Sequence, residues 1–170
     1  MELISGDIKL RPFKVSDSQR LVELANNENI ARNLRDGFPH PYHTSHARDF
    51  IEKCISIHPP TIFAIEYKGE YVGNIGLHKG NDVYRKSAEV GYFIGEQYWN
   101  KGITTAALRL ICEYGFANLD VVRIHAGVYE HNLASQKVLE KCGFVKEGVF
   151  KKAVYKQEKF WNEVRYAKLQ

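Results

Sequence analysis

Lys101-Gly102-Ile103-Thr104-Thr105 sets a cation and a glycine directly before an apolar helical stretch, with two hydroxyls in the first turn. The first amides of a helix lack intrahelical partners, and that end of the helix dipole is positive. A glycine at the bend can turn several such amides onto one anion, so this junction could bind phosphate. Lys101 adds charge, Thr104 and Thr105 add donors, and Gly102 permits close backbone approach or a positive φ. An ordinary turn is the competing use of such a glycine. The order Lys101-Gly102 is the reverse of a Walker P-loop, and the three spaced glycines of a dinucleotide fingerprint are missing.

Glu89 is a second candidate. It lies on a predicted strand just upstream of the glycine loop, where a carboxylate could act as a base or pair with Arg85 or Lys86 in solvent. His40, His43 and His46 cluster in a proline-broken segment without a matching carboxylate or thiolate set, so no metal site is expected. The three cysteines, Cys54, Cys112 and Cys142, show no Cys-x-x-Cys spacing and read as buried thiols.

These residues must be positioned by a chain of 170 residues, a length that suits one domain spanning 1–170. The hydrophobic share of 44% and charged share of 26% are those of a soluble globular protein. Met1–Leu10 has no charged-then-apolar leader and no apolar run could span a bilayer, so the expected address is cytoplasmic, without a membrane partner. The net charge of +4 is dispersed, which argues against a nucleic-acid partner.

Periodicity predicts strands over Ile8–Arg11, Thr61–Tyr67, Tyr71–His78, Ala88–Ile94, Arg123–Tyr129, Val145–Tyr155 and Glu163–Leu169. Helices are predicted from Ser16 to about Asn26, started by a Ser16–Gln19 capping box, and over Ser45–Ile57, Ile103–Asn118 and Leu133–Cys142. On the strand before the loop, alternation puts Ala88, Val90, Tyr92 and Ile94 on one face and Glu89, Gly91 and Phe93 on the other. Asn132 is placed to cap the last helix and Gly143 to stop it, with Phe144 packing back. The fold class is α/β (α+β). It has a mixed, partly antiparallel central sheet of about six to seven strands flanked by about four helices.

Two segments resemble one family. Tyr98-Trp99-Asn100-Lys101-Gly102-Ile103-Thr104 is similar to the Arg/Gln-x-x-Gly-x-Gly/Ala loop of the GNAT N-acetyltransferases, in the form used by the RimJ/RimL branch, where an aromatic often replaces the first residue. Asn132-Leu133-Ala134-Ser135, followed by Glu140-Lys141-Cys142-Gly143-Phe144, resembles the second half of the signature. Leu10-Arg11-Pro12, Asp36–Tyr42 and Asn162–Tyr166 extend the likeness over nearly the whole chain. The departures are Thr104 for Gly or Ala, Ala106 for Glu, and Asn162 for Asp.

The resemblance implies an acetyl-CoA-dependent enzyme that transfers acetyl to a primary amine, a protein N-terminus or small amine, in a direct ternary complex without metal. It implies that Trp99, Asn100, Lys101, Gly102, Ile103, Thr104 and Thr105 hold the pyrophosphate. Phe93 and Ile94, where the family's sheet parts, would offer amides to the cofactor and the oxyanion, and Asn132 and Ser135 would face the pantetheine arm. Glu89 would be the base. The tyrosine that many members use to protonate the leaving thiolate is Leu139 here, with Ser135 the nearest substitute. A thiol of pKa about 8.5 leaves with little help near neutral pH. The alternative is a non-catalytic acyl-CoA-binding or sensing domain of the same fold. Arg35–Tyr42, His78–Lys86 and Lys151–Trp161 are expected to choose the acceptor, and the aromatic C-terminal hairpin is compatible with a homodimer.

Overall fold

The computed structural model describes all residues from Met1 to Gln170. In chain order it contains β1 (Leu3–Ser5), β2 (Ile8–Arg11), α1 (Ser18–Ala25), α2 (Glu28–Ala31), α3 (Thr44–Ser56), β3 (Ile62–Tyr67), β4 (Glu70–Lys79) and β5 (Ser87–Ile94). It continues with α4 (Ile103–Asn118), β6 (Arg123–Tyr129), α5 (Leu133–Lys141), β7 (Val145–Lys156) and β8 (Lys159–Leu169). The strands form one eight-stranded sheet in the order β1-β2-β3-β4-β5-β6-β8-β7. β5 and β6 run parallel, while β1–β2, β2–β3, β3–β4, β6–β8 and β7–β8 are antiparallel. The sheet is therefore mixed, as expected. No helix is long and apolar enough to cross a membrane.

The structure adds two elements to the expected set, β1 and α2. Each is too short to carry a period. β1 is held by pairing Leu3 with Leu10 across a turn where Gly6 takes φ +57°. α2 is held by its cap, since the Asn27 side chain accepts from the amide of Ile30 at 3.2 Å. The chain divides into two compact units, one of residues Met1–Gly76 with Tyr92–Ile111 and the other of Leu77–Gly91 with Cys112–Gln170.

In the first unit, Leu21, Leu24 and Ala25 of α1 and Ala47, Ile51 and Cys54 of α3 recur at helical spacing and are buried in one cluster with Phe13, Tyr71 and Phe93. The entry to α1 differs from the expected capping box. The Lys14 amide donates to Asp17 Oδ2 at 2.8 Å and the Asp17 amide donates to the Lys14 carbonyl at 2.9 Å, while Gln19 reaches Glu23 instead. Asp17 is thereby held to receive Arg11, whose Nη1 and Nη2 each donate to it at 2.8 Å and whose Nε donates to Glu66 at 2.7 Å.

In the second unit, Gly115 of α4 lies against Leu77, whose Cδ1 would be 2.5 Å from an added Cβ, so glycine is what lets the helix settle on the strand. α5 ends as predicted. Gly143 takes φ +81°, the amides of Gly143 and Phe144 donate to Glu140 and Leu139, and Phe144 is buried. β7 is an edge strand, solvent-exposed along most of its length.

Candidate active site

β5 delivers the chain into the glycine loop. Phe93 and Ile94 at its end are both buried. β4 approaches closely here. A Cβ on Gly73 would lie 2.2 Å from the Phe93 carbonyl oxygen, so only glycine admits the β5 backbone there. Phe93 then turns into the core against Phe38, ring centroids 5.3 Å apart.

Beyond Ile94 the loop is pinned by its own residues. The Gly95 amide donates to the Val72 carbonyl at 2.9 Å, and a short 3-10 turn follows over Glu96–Tyr98. Trp99 Nε1 donates back to the Ile94 carbonyl at 2.9 Å, which closes the loop across its base. This gives the aromatic at the first motif position a structural task. Asn100 and Gly102 both take positive φ, 60° and 75°, on either side of an exposed Lys101. No atom lies within 4 Å of where a Gly102 Cβ would be.

The helical ladder of α4 starts from Gly102, whose carbonyl accepts from the Ala106 amide at 3.1 Å. The amides of Ile103, Thr104 and Thr105 therefore precede the ladder, at the positive end of a sixteen-residue helix. Ile103 is fully buried, which anchors this turn, and Thr104 and Thr105 are half-buried.

Sequence reasoning missed the side chains that brace the loop. Tyr98 donates to Glu70 at 2.9 Å, accepts from Arg20 at 3.0 Å, and lies under the Lys101 ammonium at 5.4 Å. The Glu96 carboxylate accepts from Asn29 at 2.9 Å and from Asn27, the cap of α2. These partners are distant in sequence and belong to different elements, so no local pattern marks them.

In the second unit, the Asn132 side chain accepts from the Ser135 amide at 3.2 Å and so caps α5 as predicted. The turn before it is held by Glu130, whose carboxylate accepts from the Asn162 amide at 2.8 Å and the Asn162 side-chain amide at 3.0 Å. Asn162 also accepts from the Lys152 amide at 2.9 Å. An aspartate there would set two carboxylates together, so asparagine suits this particular corner. Leu139 is fully buried core, and Ser135 sits half-buried in the first turn of α5.

Glu89 is half-buried in β5, directly opposite His125 of β6 in the parallel register. The basic neighbours weighed as its partners are engaged elsewhere, Lys86 with Asp120 and Arg85 with the Asp82 carbonyl at 3.0 Å. Burial lowers the His125 pKa from its ordinary value, against the opposing pull of Glu89. The signal for His125 was available in β6, where alternation sets Arg123, His125 and Gly127 on one face.

The other reactive residues stay apart from this chemistry. Cys54, Cys112 and Cys142 are all buried, and burial pushes the thiols of Cys54 and Cys112 up to about 12. His43 and His46 lie with ring centroids 5.3 Å apart and planes tilted by 43°, and His46 Nδ1 accepts from the His43 amide at 3.1 Å, closing the start of α3.

A family model described as acetyltransferase (GNAT) domain matches residues 7–145. The chain belongs to the GNAT acetyltransferase family. Its relatives include the uncharacterized N-acetyltransferase YnaD of Bacillus subtilis (strain 168), 28% identical over 174 residues covering 100% of this chain and 98% of that one. They also include the spermidine N(1)-acetyltransferase of Escherichia coli (strain K12), 29% identical over 159 residues, 93% of this chain and 83% of that one. Among solved structures, RimL, a ribosomal L7/L12 α-N-protein acetyltransferase in complex with coenzyme A, superimposes with a TM-score of 0.87 at 21% identity, covering 99% of this chain and 98% of that one. This GNAT chain is an N-acetyltransferase, and its sheet, five helices and strand order are the GNAT fold.

Proposed function

We propose that this GNAT enzyme moves the acetyl group of acetyl-CoA onto a primary amine, of a protein N-terminus or a small polyamine, by direct attack of the amine on the thioester. The observation that carries the reading is the opening of α4. There a loop with positive φ at Asn100 and Gly102 leaves open space beside Gly102, ahead of the first helical bond. Such a turn fits a pyrophosphate, with backbone donors from Gly102 to Thr105, the Lys101 charge, and Trp99 and Asn100 fixing the bend. The peptide groups of Phe93 and Ile94 are assigned to the pantetheine arm and the oxyanion, and Asn132 and Ser135 to the same arm from α5. The relatives named for spermidine and for a ribosomal protein support an amine acceptor of either kind.

Glu89 is the proposed base. The acceptor arrives largely as an ammonium, since an α-amine has a pKa of about 8 and a lysine of about 10.4. Removing one proton frees the lone pair that attacks the thioester carbonyl. The tetrahedral adduct collapses with loss of the thiolate, which takes up the second amine proton, and the Ser135 hydroxyl of α5 is assigned to assist. No cysteine is needed, in keeping with the buried, high-pKa thiols of Cys54 and Cys112.

Initial rates measured against acetyl-CoA at several spermidine concentrations test the scheme, with an N-terminal ribosomal-type peptide as the second acceptor. Direct transfer gives intersecting double-reciprocal lines. Parallel lines would mean a covalent acetyl-enzyme and would remove the scheme. The homodimer reading rests on the exposed hairpin aromatics Tyr155 and Phe160, and light scattering that finds only a monomer removes it.

A further inference from the structure

On one face of the second unit, β5, β6, β8 and β7 carry a row of charged groups around His125. Glu89 of β5 is its registered neighbour. Arg123 lies two residues away on β6, Arg165 on β8 and Glu147 on β7, and these are the charged groups whose fields reach the imidazole. Arg123 Nη1 donates to Glu147 at 2.7 Å and Arg165 Nε donates to Glu163 at 2.7 Å, so each guanidinium has a carboxylate of its own. Glu89 and Glu147 favour a proton on His125, while Arg123 and Arg165 still oppose it.

The strands also leave the pair approachable. Two residues beyond Glu89 is Gly91, exposed and with nothing within 4 Å of where a Cβ would lie. Two residues beyond His125 is Gly127, where a Cβ would meet the Glu163 carboxylate at 2.7 Å, so that side is closed by Glu163. An incoming amine therefore has room over Gly91, next to Glu89 and its registered neighbour His125.

We propose that His125 is a positioning and relay residue for the acetyl transfer, taking through Glu89 the proton released when the acceptor ammonium becomes a free amine. The inference rests on the reading of Glu89 as the base. The N–H bond of the ammonium breaks and its proton passes by way of the Glu89 carboxylate to the neutral imidazole, which becomes an imidazolium. After the amine has attacked and the C–S bond has broken, the second amine proton goes to the departing sulfur. The imidazolium returns its proton to solvent, so each turnover yields the amide, free CoA thiol and one proton. A carboxylate alone is a weak base toward an amine, and a neutral imidazole on the neighbouring strand stands closer in pKa to the donor. Burial keeps His125 neutral near pH 7, which is the form the relay requires.

NMR titration of the histidine ring protons tests the pair without any acceptor. The His125 signal is identified by its loss in His125→Gln. In the wild type it should titrate below an unperturbed histidine, and in Glu89→Gln lower still, because the carboxylate that favours the imidazolium is gone. Identical titration in both proteins overturns the pairing. Turnover of spermidine and of the peptide across pH then tests the relay. His125→Gln should lose about 10²-fold in kcat with acetyl-CoA affinity unchanged. It should also lose the acid limb of the wild-type profile, and the double variant should fall no further than the worse single one. Wild-type turnover and profile in His125→Gln, with Glu89→Gln impaired, overturns the relay and leaves Glu89 as base. Wild-type turnover in Glu89→Gln overturns the base assignment itself and the relay with it. Should His125→Gln not fold, His125→Asn takes its place both in identifying the signal and in the kinetics.

Discussion

Gly102 combines a φ of +75° with open space where a side chain would go, so a larger residue meets no protein atom there and the cost falls on the backbone. A β-branched side chain disfavours that conformation by roughly 1–2 kcal/mol and projects into the space assigned to the phosphates. Gly102→Val is expected to keep the wild-type circular dichroism and to lose acetyl-CoA affinity by more than about tenfold. Titration calorimetry giving wild-type affinity would put the phosphates elsewhere. Trp99→Phe keeps the aromatic and removes the indole donor to the Ile94 carbonyl. Loss of one such bond costs about 1 kcal/mol, which is about fivefold in affinity if it acts on the shape of the loop. For Glu89→Gln the expected result is unchanged acetyl-CoA affinity with turnover lower by about 10²–10⁴-fold. That loss should shrink as pH rises toward the amine pKa, since more acceptor then arrives deprotonated. Equal turnover in both proteins from about pH 6.5 to 9.5 would remove Glu89 from the chemistry.

At the scale of elements, Arg11 joins β2 to the start of α1 and to β3 through Asp17 and Glu66. Both side chains of the Arg11–Asp17 pair are nearly buried, at 6% and 7% exposure, so losing one partner strands the other in a dry site. Arg11→Met should cost about 3–5 kcal/mol, lowering Tm by about 6–20 °C in a domain of this size. A shift of only a degree or two would show that water replaces the guanidinium. The Arg11 hydrogen bond also lowers the Glu66 pKa from its ordinary value of 4.5, a direction that fixes the sign of its pH effect. The stabilisation is fully present above the ordinary value and is lost as pH falls through the folded one. Between about pH 6 and pH 3 the Tm of the wild type should therefore fall further than that of Glu66→Gln.

Elements with a full period were legible in the sequence. α4 and β6 fall on their predicted bounds because each repeats its apolar spacing over several turns or alternations. β1 and α2 were not legible, since tertiary pairing and one asparagine cap hold them rather than any period. The close approach of β4 to β5 at Phe93 was hidden for a similar reason, because it depends on Gly73 of another strand. In the candidate site, the motif residues Trp99, Gly102 and Asn132 were readable from spacing and family likeness. The register that sets His125 opposite Glu89, the place of Glu130 and the Tyr98–Glu70–Arg20 brace were not, because they depend on strand pairing and long-range hydrogen bonding.

For the molecule as a whole, binding acetyl-CoA should stabilise the folded state with EDTA present. At about 100 times the dissociation constant the gain is about 2.7 kcal/mol, a rise in Tm of about 5–10 °C. No shift with either acetyl-CoA or CoA would argue against the glycine loop as their site. Two of the segments expected to choose the acceptor are exposed, with Val83 and Tyr84 at 72% and 71% in one and Tyr155 and Phe160 at 61% and 63% in the other. Exposed apolar side chains there would contact whatever carries the amine, so acceptor choice should respond to changes at Tyr84 and Tyr155 while acetyl-CoA affinity does not. The most direct test of the central claim is mass spectrometry of a mixed panel of amines, spermidine and N-terminal peptides together, after incubation with the protein and acetyl-CoA. At least one N-acetylated product is expected in step with free CoA, formed far more slowly by Glu89→Gln. CoA release with no acetylated amine, or no release above the rate without protein, would contradict it.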